Sequence, residues 1–378
     1  MNTSPPFTIG IEEEYLLVDS TSRALIKEMP AGFLAACEKA LGDQVAPEFL
    51  QCQIEIGTRI CQNAPAAKKE LMQLRQTLIE IAKDYNISIV AASTHPFSMP
   101  GTLKHTEKTR YDQLAHDLQA VVRRLQISGM HVHCGIDDDD LRIDMMGQTA
   151  YILPHLLALS TSSPFWHGEN TGLKSYRLAV WDEMPRTGLP ERFDSYKEYQ
   201  RHVDVLVHAN VIEDASKIWW DIRPSANYKT LEMRISDVCT RIEDAICIAA
   251  LYQCWLHMLF RLRKNNMRWR QYANMLINEN RWRAQRYGID KGLIDFGKTC
   301  EVPCTELIEE ILALLAEDAD ILGCQTEITH ARNILKNGTS AHRQVATYQA
   351  HIDAGDSEQA ALIAVVDELI TDTQHGLV

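Results

Sequence analysis

The sequence predicts an α+β fold in which one sheet has an apolar face and a polar face. Short segments within the first 240 residues alternate apolar and polar side chains with the period of two that is typical of half-buried strands. Helical patterns separate these segments, and from residue 242 onward the pattern is helical almost throughout. Because no linker or repeat divides the chain, we expect a single domain over residues 1–378. This domain is strand-rich over about 7–240 and helical over about 241–378.

The first predicted strand lies at residues 8–19 and carries two acidic side chains on one face. Its apolar residues occur at alternate positions from Ile9 to Leu17, so Glu12 and Glu14 project together from the opposite face. Two neighbouring carboxylates repel each other and raise one pKa unless a cation lies between them. Taken alone, such a pair is more often a solvated acidic face.

Three later segments, at residues 51–58, 125–135 and 230–238, repeat this arrangement of a polar face opposite an apolar one. Their polar residues are Glu55 in the first segment, His131 and His133 in the second, and Glu232 and Arg234 in the third. A single segment of this kind is usually an ordinary surface or a hydrogen-bonded strand, but four of them favour one shared site. An acid-rich set with histidines suits Mg²⁺ or Mn²⁺ better than zinc.

The remaining elements are predicted from apolar spacing and from turn residues. Helices are expected at residues 31–41, from Asn63 and Pro65 onward, at 109–125, at 141–159 with a kink at Pro154, and at 195–209. A short buried strand is expected at 87–92. Residues 160–192 are rich in Gly, Pro, Ser and Thr and lack periodicity, so we expect a functional loop that acts as a lid.

Composition limits the classes of function. The hydrophobic fraction of 46% is enough for a sizeable core, and the net charge of -13 argues against non-specific binding to nucleic acid or to anionic membranes. An acidic enzyme can still bind a nucleotide through metal ions and a few arginines. We therefore expect small-molecule substrates, with neither nucleic acid nor membrane as a partner.

The compartment is predicted to be the cytoplasm. Residues 1–6 do not resemble a signal peptide, and the most apolar run, at 245–260, is shorter than a membrane span. The ten cysteines are scattered along the chain, which indicates reduced thiols. A zinc site remains as an alternative, although its spacing matches no common zinc pattern. Its ligands would be Cys300, Cys304, Cys324 and His330.

Ten motifs resemble, in order, those of the type 2 glutamate–cysteine ligase family of bacterial carboxylate–amine ligases. They are GIEEE (10–14), QIEIGT (53–58), THPF (94–97), GMHVHCG (129–135), LLALS (156–160), SPFW (163–166), TGL (171–173), PRTGLP (185–190), WDIRP (220–224) and TLEMR (230–234). The resemblance covers about residues 7–240 and weakens beyond residue 264, where GTSAHRQ (338–344) is similar to a C-terminal family motif. Cys134 replaces a small apolar residue and is expected to point into the core.

The resemblance implies a glutamine-synthetase-like catalytic fold, with a curved antiparallel sheet and helices on its convex face. It also implies ATP with Mg²⁺ or Mn²⁺ as cofactors, a homodimer, and an arginine, Arg234, that faces the transferring phosphoryl group. The metal ligands carried over from the family motifs are Glu12, Glu14, Glu55, His131 and Glu232. Glutamate and cysteine are the substrates in the family's name, but its members vary in substrate and in strength of activity.

Other side chains are candidates for binding substrate or nucleotide. Arg223 precedes the Glu232 strand and is expected to bind phosphate or a substrate carboxylate, or else to form a structural ion pair with Asp221 or Asp237. Further candidates for substrate or nucleotide binding are Arg177 and His95 in predicted loops, His133 beside His131, and Arg343 in the C-terminal motif.

The mechanism expected for such a ligase starts with phosphorylation of a carboxylate by ATP. An amine then attacks the acyl phosphate and releases phosphate. Two enzymatic alternatives use the same sheet, namely a phosphotransferase related to the guanidino kinases and a metal-dependent hydrolase that activates water. A protein that only binds metal is the remaining alternative. For the dimer, the helical C-terminal third offers Trp269 and Trp282 among many arginines.

Overall fold

The computed structural model describes residues 4–99, 104–106 and 124–377. The helix predicted at 109–125 falls almost entirely outside these residues. The strands are β1 (Ile9–Asp19), β2 (Val45–Pro47), β3 (Gln53–Gly57), β4 (Ile87–Val90), β5 (Met130–Gly135), β6 (Phe165–Trp166), β7 (Glu169–Asn170), β8 (Ile222–Pro224), β9 (Thr230–Met233), β10 (Leu293–Asp295) and β11 (Cys300–Val302).

The helices surround the sheet and make up most of the chain after β9. They are α1 (Phe33–Leu41), α2 (Ala64–Lys83), α3 (Asp139–Thr149), α4 (Leu153–Ser160), α5 (Tyr176–Trp181), α6 (Tyr196–His208), α7 (Ile242–Lys264), α8 (Asn274–Tyr287), α9 (Cys304–Leu322), α10 (Gln325–Thr329), α11 (Ala331–Asn337), α12 (Ser340–Asp353) and α13 (Glu358–Thr373). The predicted helical C-terminal third is therefore present.

The main sheet has seven strands in the order β2-β3-β1-β5-β9-β8, with β4 also paired to β1. Every pairing in it is antiparallel. The strand β1 is central because β3 pairs along one of its edges, while β5 and then β4 pair along the other. The α+β class with an antiparallel sheet is confirmed.

The alternation of residues along β1 determines which face enters the core. Ile9, Ile11, Tyr15 and Leu17 are buried, and this face packs against α2 and α7. Successive side chains of a strand point to opposite faces, so Glu12 and Glu14 project away from these helices. The predicted division of β1 into an apolar and a polar face is confirmed over its first half.

Glu13 belongs to the core-facing set of β1, although it is an acid. It is fully buried, and its carboxylate accepts two hydrogen bonds from Arg75 of α2, with N–O distances of 2.8 and 2.7 Å. Tyr15 also donates to this carboxylate, and Arg75 donates further to the backbone carbonyls of Cys239 and Thr240, at 2.8 Å each. The ion pair thus joins β1, α2 and the segment that leads into α7.

Helices pack against both faces of the sheet. In the second half of β1 the outward-facing residues are Leu16 and Val18, and both are fully buried. They belong to an apolar cluster that includes Leu362 and Val365 of the C-terminal helix α13. The predicted helices on one face of the sheet are therefore present, and the C-terminal helix adds a contact on the other face beyond Glu14, where the polar pattern of β1 ends.

Residues 160–192 are tied to the sheet and do not form an open loop. They contain α5 and the hairpin of β6 and β7. The buried Asp237 accepts hydrogen bonds of 2.8 Å from the backbone amide of Ser162 and from the hydroxyls of Ser163 and Ser175. The prediction of an irregular loop is wrong here, because these serines bind a buried carboxylate that lies far away in the sequence, and the lid function stays a prediction.

The helix predicted at 141–159 is divided into α3 and α4. It begins as expected, because the carboxylate of Asp138 caps α3 by accepting from the amide of Leu141 at 2.8 Å. The division falls between Thr149 and Leu153, and Pro154 lies in the first turn of α4. Proline lacks an amide hydrogen and is favoured in a first helical turn, so it starts a new helix where a kink was expected.

The cysteines are free thiols, and nine of the ten are buried. The alternative zinc site is wrong because its four residues have separate environments. Cys300 is exposed, the Cys304 thiol lies 3.1 Å from the Lys291 carbonyl oxygen, Cys324 lies 3.4 Å from Cys254 (Sγ to Sγ), and His330 pairs with Asp244 at 2.8 Å.

By length and composition, the described residues contain one helix that could cross a membrane, and it is α7. Of its most apolar window, 83% is buried within the protein. Burial of this kind is expected for the central helix of a globular core. The predicted interpretation of the run at 245–260 as a buried helix is confirmed.

We predict that the ion pair between Glu13 and Arg75 is a major determinant of stability. Arg75→Met leaves the carboxylate buried without its cation, so the free energy of unfolding should fall by about 3–5 kcal/mol. Urea denaturation measures this change. As a control, Glu310→Gln removes an exposed partner of Lys298 and should leave the denaturation midpoint unchanged. An Arg75→Met variant as stable as the unmodified protein would contradict the prediction.

Candidate active site

The register of the sheet brings the predicted polar residues onto one face. Glu14 of β1 lies directly opposite Glu55 of β3, and Glu12 lies opposite His131 of β5. One strand further, His133 lies opposite Glu232 of β9, which is also opposite Arg223 of β8. Residues directly opposite each other share a face, so four strand pairings assemble one continuous polar surface.

Two groups of potential metal ligands lie on this surface. The first consists of Glu12, Glu55 and His131, and the second of Glu14, Glu48 and Glu55; within each group the ligand atoms lie within 4.8 Å of one another. Glu55 belongs to both groups. Oxygen-rich groups of this size with one imidazole suit hard divalent cations.

Glu48 is the residue that sequence reasoning missed. It follows β2, which has only three residues, so no alternation was long enough to identify a strand there. The signal that could have identified Glu48 is its spacing of two residues from Ala46, because Ala46 lies opposite Glu55 in the sheet. Two positions further along an extended chain, Glu48 continues on the same face as Glu55.

The carboxylates of the second group are held close together and are partly buried. Burial, followed by the charge of Glu48, raises the pKa of Glu14 to about 8. Burial also raises the pKa of Glu48, and burial together with the carboxylates of Glu48, Glu12 and Glu14 raises the pKa of Glu55 well above its usual range. A bound cation would relieve this repulsion, so the residues fit a divalent metal ion.

The two histidines flank Glu12. Its carboxylate oxygens lie 3.3 Å from Nδ1 of His131 and 3.4 Å from Nε2 of His133. Burial opposes the charge on Glu12, but hydrogen bonds to both histidines outweigh it and lower its pKa. Burial, followed by the charge of Arg234, lowers the pKa of His131 to about 4, so its ring is neutral and able to bind a metal near pH 7.

Glu232 has a different environment from the one predicted. Its carboxylate pairs with Arg234 and accepts from Nε and Nη2 of Arg223, at 2.9 and 3.2 Å. Glu232 is in neither ligand group found among the described residues, so the structure does not support its predicted role as a metal ligand. Two arginines already neutralise it.

Arg223 anchors Glu232 and has few hydrogen atoms left for a substrate. Besides Glu232, it donates to the carbonyls of Ser216 and Ile218 at 2.9 and 2.6 Å. The alternative, an ion pair with Asp221 or Asp237, is wrong because Arg223 pairs with Glu232. Asp221 accepts from Arg281 at 2.7 Å, and Asp237 binds the serines described above.

Arg177 lies beside the polar face and is almost fully buried. It donates to the backbone carbonyls of Ile235 and Arg234, at 3.3 and 3.2 Å. Its guanidinium lies over Gly129, where an added Cβ would be 2.5 Å from Nη2. The amide of Gly129 also donates to the carboxylate of Glu14 at 2.6 Å. Because glycine has no Cβ, the Arg177 guanidinium and the Glu14 carboxylate can both lie against the backbone at this residue.

His95 and Arg343 make other contacts. His95 donates from Nε2 to the Arg23 carbonyl at 2.8 Å, and its Nδ1 accepts from the amides of Phe97 and Ser98. Arg343 donates to Asp372 at 2.7 Å, which joins α12 to the end of α13. These contacts hold both side chains in place, and the substrate-binding role predicted for them stays a prediction.

Comparison with known proteins connects this site to a family. The sequence matches the family model described as glutamate–cysteine ligase family 2 over residues 8–363. A relative from Rhodospirillum rubrum, provisionally named glutamate–cysteine ligase 2, is 58% identical over 98% of this chain and 96% of its own length. A relative from Jannaschia sp. with the same provisional name is 52% identical over 97% of this chain and 96% of its own length.

Solved structures share the fold at low sequence identity. The glutamate–cysteine ligase of Francisella tularensis in complex with AMP has a TM-score of 0.70 at 13% identity, covering 98% of this chain and 90% of that one. A bifunctional glutathione synthetase from Pasteurella multocida has a TM-score of 0.66 at 14% identity, with coverages of 98% and 53%.

The protein is therefore an ATP-dependent ligase of the class that joins a carboxylate to an amine. Within that class, the chain belongs to glutamate–cysteine ligase family 2, because both the family model and the relatives match nearly its whole length.

Proposed function

We propose that this ligase joins glutamate to cysteine, or to a similar amine, on the polar face of the sheet through an acyl phosphate. One observation carries the proposal. A partly buried group of carboxylates, at Glu14, Glu48 and Glu55, lies on the same face as Glu232, whose carboxylate pairs with Arg234. Carboxylates that hold metal ions next to an arginine are the arrangement that phosphoryl transfer requires.

The two ligand groups are the proposed positions for Mg²⁺ or Mn²⁺. Glu12, Glu55 and His131 would hold one ion, while Glu14 and Glu48 would hold a second one that shares Glu55. When bound, such ions neutralise charge on nucleotide phosphates. Glu48 replaces Glu232 in the ligand set that the family motifs implied, because Glu232 is already paired with arginines.

In the proposed reaction, a carboxylate oxygen of the first substrate attacks the γ-phosphorus of ATP and ADP leaves. The amine nitrogen of the second substrate then attacks the acyl carbon and phosphate leaves. Arg234 stabilises negative charge on the phosphoryl oxygens. Its Nε is buried and has no hydrogen-bond partner among the described residues, so a donor remains for a phosphate oxygen. His133 is the proposed polar contact for substrate beside Glu12.

The experiment that tests this function is a survey of ADP release with pairs of a carboxylate and an amine. A ligase of this type releases ADP rapidly only when both substrates are present. Transfer to a single acceptor without an amine would indicate the phosphotransferase alternative. Turnover of an ester or amide without nucleotide would indicate the hydrolase.

The protein is also proposed to act in the cytoplasm as a homodimer. Trp282 of α8 is 49% exposed and Met275, seven residues earlier, is 76% exposed, so both lie on one exposed side of this helix. Trp269, the other aromatic residue expected at an interface, packs internally at 4.9 Å from the ring of Trp255. Sedimentation should give about twice the chain mass of 42.9 kDa, and a single species at the chain mass would contradict the dimer.

We predict that Glu55→Gln abolishes ATP turnover and leaves the fold intact. The substitution keeps the size of the side chain but removes the charge that both proposed ions share. Glu48→Gln should retain some turnover and require more Mg²⁺, because it affects only one position. Steady-state ADP formation over a range of Mg²⁺ concentrations measures both effects.

The matched control for these two variants is Glu306→Gln, an exposed glutamate on α9. It should behave as the unmodified enzyme at every Mg²⁺ concentration. Melting temperatures should be similar for all three variants. Substantial turnover by Glu55→Gln at saturating Mg²⁺ would rule out the proposed ligand set.

We also predict that Arg234 acts mainly on the rate of the chemical step. Arg234→Ala should lower kcat by about 10³-fold or more, with a much smaller change in KM for ATP. Arg234→Lys should restore only part of the rate, because an ammonium lacks the planar fork that bridges two oxygens. An unchanged kcat in the Lys variant would leave Arg234 with the structural role of neutralising Glu232.

A further inference from the structure

Trp181, the last residue of α5, lies against two of the arginines near the polar face. The Cζ atom of Arg177 is 5.7 Å from the centre of its ring, and the Cζ atom of Arg234 is 5.8 Å away. The indole nitrogen donates to the backbone carbonyl of Trp219 at 3.4 Å. One aromatic ring, fixed by its own hydrogen bond, is therefore in range of cation–π contact with two guanidinium groups.

This contact counteracts an unfavourable arrangement of charge. Arg177 and Arg234 are both largely buried, and burial, together with the positive charge of Arg234, lowers the pKa of Arg177. The face of an indole ring attracts cations, so Trp181 stabilises two like charges that would otherwise repel each other. A leucine of similar hydrophobicity would fill much of the space without this effect.

Among the residues that the structure describes, the side chain of Arg234 has one strong partner. It pairs with Glu232 through Nη1, and its contact with His131 is long, at 3.5 Å. A single bond at one end of a guanidinium leaves the plane of the group free to rotate. The ring of Trp181 is the second contact that restricts the orientation of this plane.

Helix α5 holds Arg234 at two points. Arg177 and Trp181 are four residues apart and therefore lie on the same side of the helix. Arg177 donates to the backbone carbonyl of Arg234, while Trp181 packs against its guanidinium. Asp237 in turn ties the segment that leads into α5 to the end of the sheet through Ser175.

From these contacts we infer that Trp181 is a positioning residue for Arg234. It orients the guanidinium that acts on the transferring phosphoryl group, and it does so without touching the substrates. The inference rests on the proposed role of Arg234. It adds that the rate of transfer depends on an aromatic ring in a segment whose sequence indicated only a loop.

The test compares Trp181→Leu with Trp181→Phe in steady-state ADP formation with the best substrate pair. Trp181→Leu should lower kcat about tenfold or more and change KM for ATP less than threefold. Trp181→Phe keeps an aromatic face and should retain most of the rate. A residue that only fills space would not distinguish phenylalanine from leucine in this way.

A double-mutant cycle with Arg234→Lys isolates the interaction. In that background the planar group is absent, so Trp181→Leu should lower kcat far less than it does in the unmodified enzyme. The control is Trp220→Leu, which removes a half-buried indole that packs on Phe193 and Tyr199. It should affect the melting temperature more than kcat.

The outcomes separate the inference from the function on which it rests. If the unmodified protein releases ADP without needing both substrates, the proposed ligase reaction is wrong, whatever the variants show. If the ligase reaction is present but the two substitutions are additive, or if Trp181→Leu keeps the normal kcat, the positioning role is wrong. Should Trp181→Leu fail to fold, Trp181→Met takes its place: a lowered kcat that is largely abolished in the Arg234→Lys background supports the role, and a normal kcat or additive effects overturn it.

Discussion

The rest of the structure depends on the ion pair between Glu13 and Arg75 beneath the central strand. A buried charge is tolerated only with a partner and with its remaining hydrogen bonds satisfied, and here Tyr15 and two backbone carbonyls provide them. The pair fixes the position of β1 relative to α2 and to the chain just after β9. Glu12 and Glu14, on either side of Glu13, are thereby held on the opposite face, where their mutual repulsion would otherwise favour a shift of the strand.

The polar face could be predicted from sequence because its residues alternate with apolar ones within single strands. The pairing of residues across strands could not, since register is not visible in one strand alone. Glu232 illustrates the difference: its position on the face was predicted, but its neutralisation by Arg223 depends on the alignment of β8 with β9. Glu48 was missed because a strand of three residues has too little pattern, and the contacts of His95 could not be predicted because its partners are backbone atoms.

Residues 160–192 show a second limit of sequence patterns. Segments rich in serine and glycine resemble loops because they lack apolar periodicity. Their hydroxyl and amide groups can nevertheless fix the position of a segment by hydrogen bonding to a buried carboxylate. Asp237 collects three such hydrogen bonds, and α5 follows directly from them. The positions of Arg177 and Trp181 thus follow from a polar interaction that hydrophobic periodicity cannot predict.

The polar face is divided into a half that is rich in carboxylates and a half in which two arginines share one carboxylate. Burial, followed by the charge of Glu48, raises the pKa values of Glu14 and Glu55. In the other half, Arg223 and Arg234 both pair with the single carboxylate of Glu232. A bound metal ion and a phosphate group carry opposite charges and would each complete one half. A nucleotide phosphate that bridges the two halves would therefore be stabilised from both sides, while a neutral substrate would gain nothing from either. This asymmetry is the physical reason that the site favours phosphoryl transfer over hydrolysis of a neutral ester or amide.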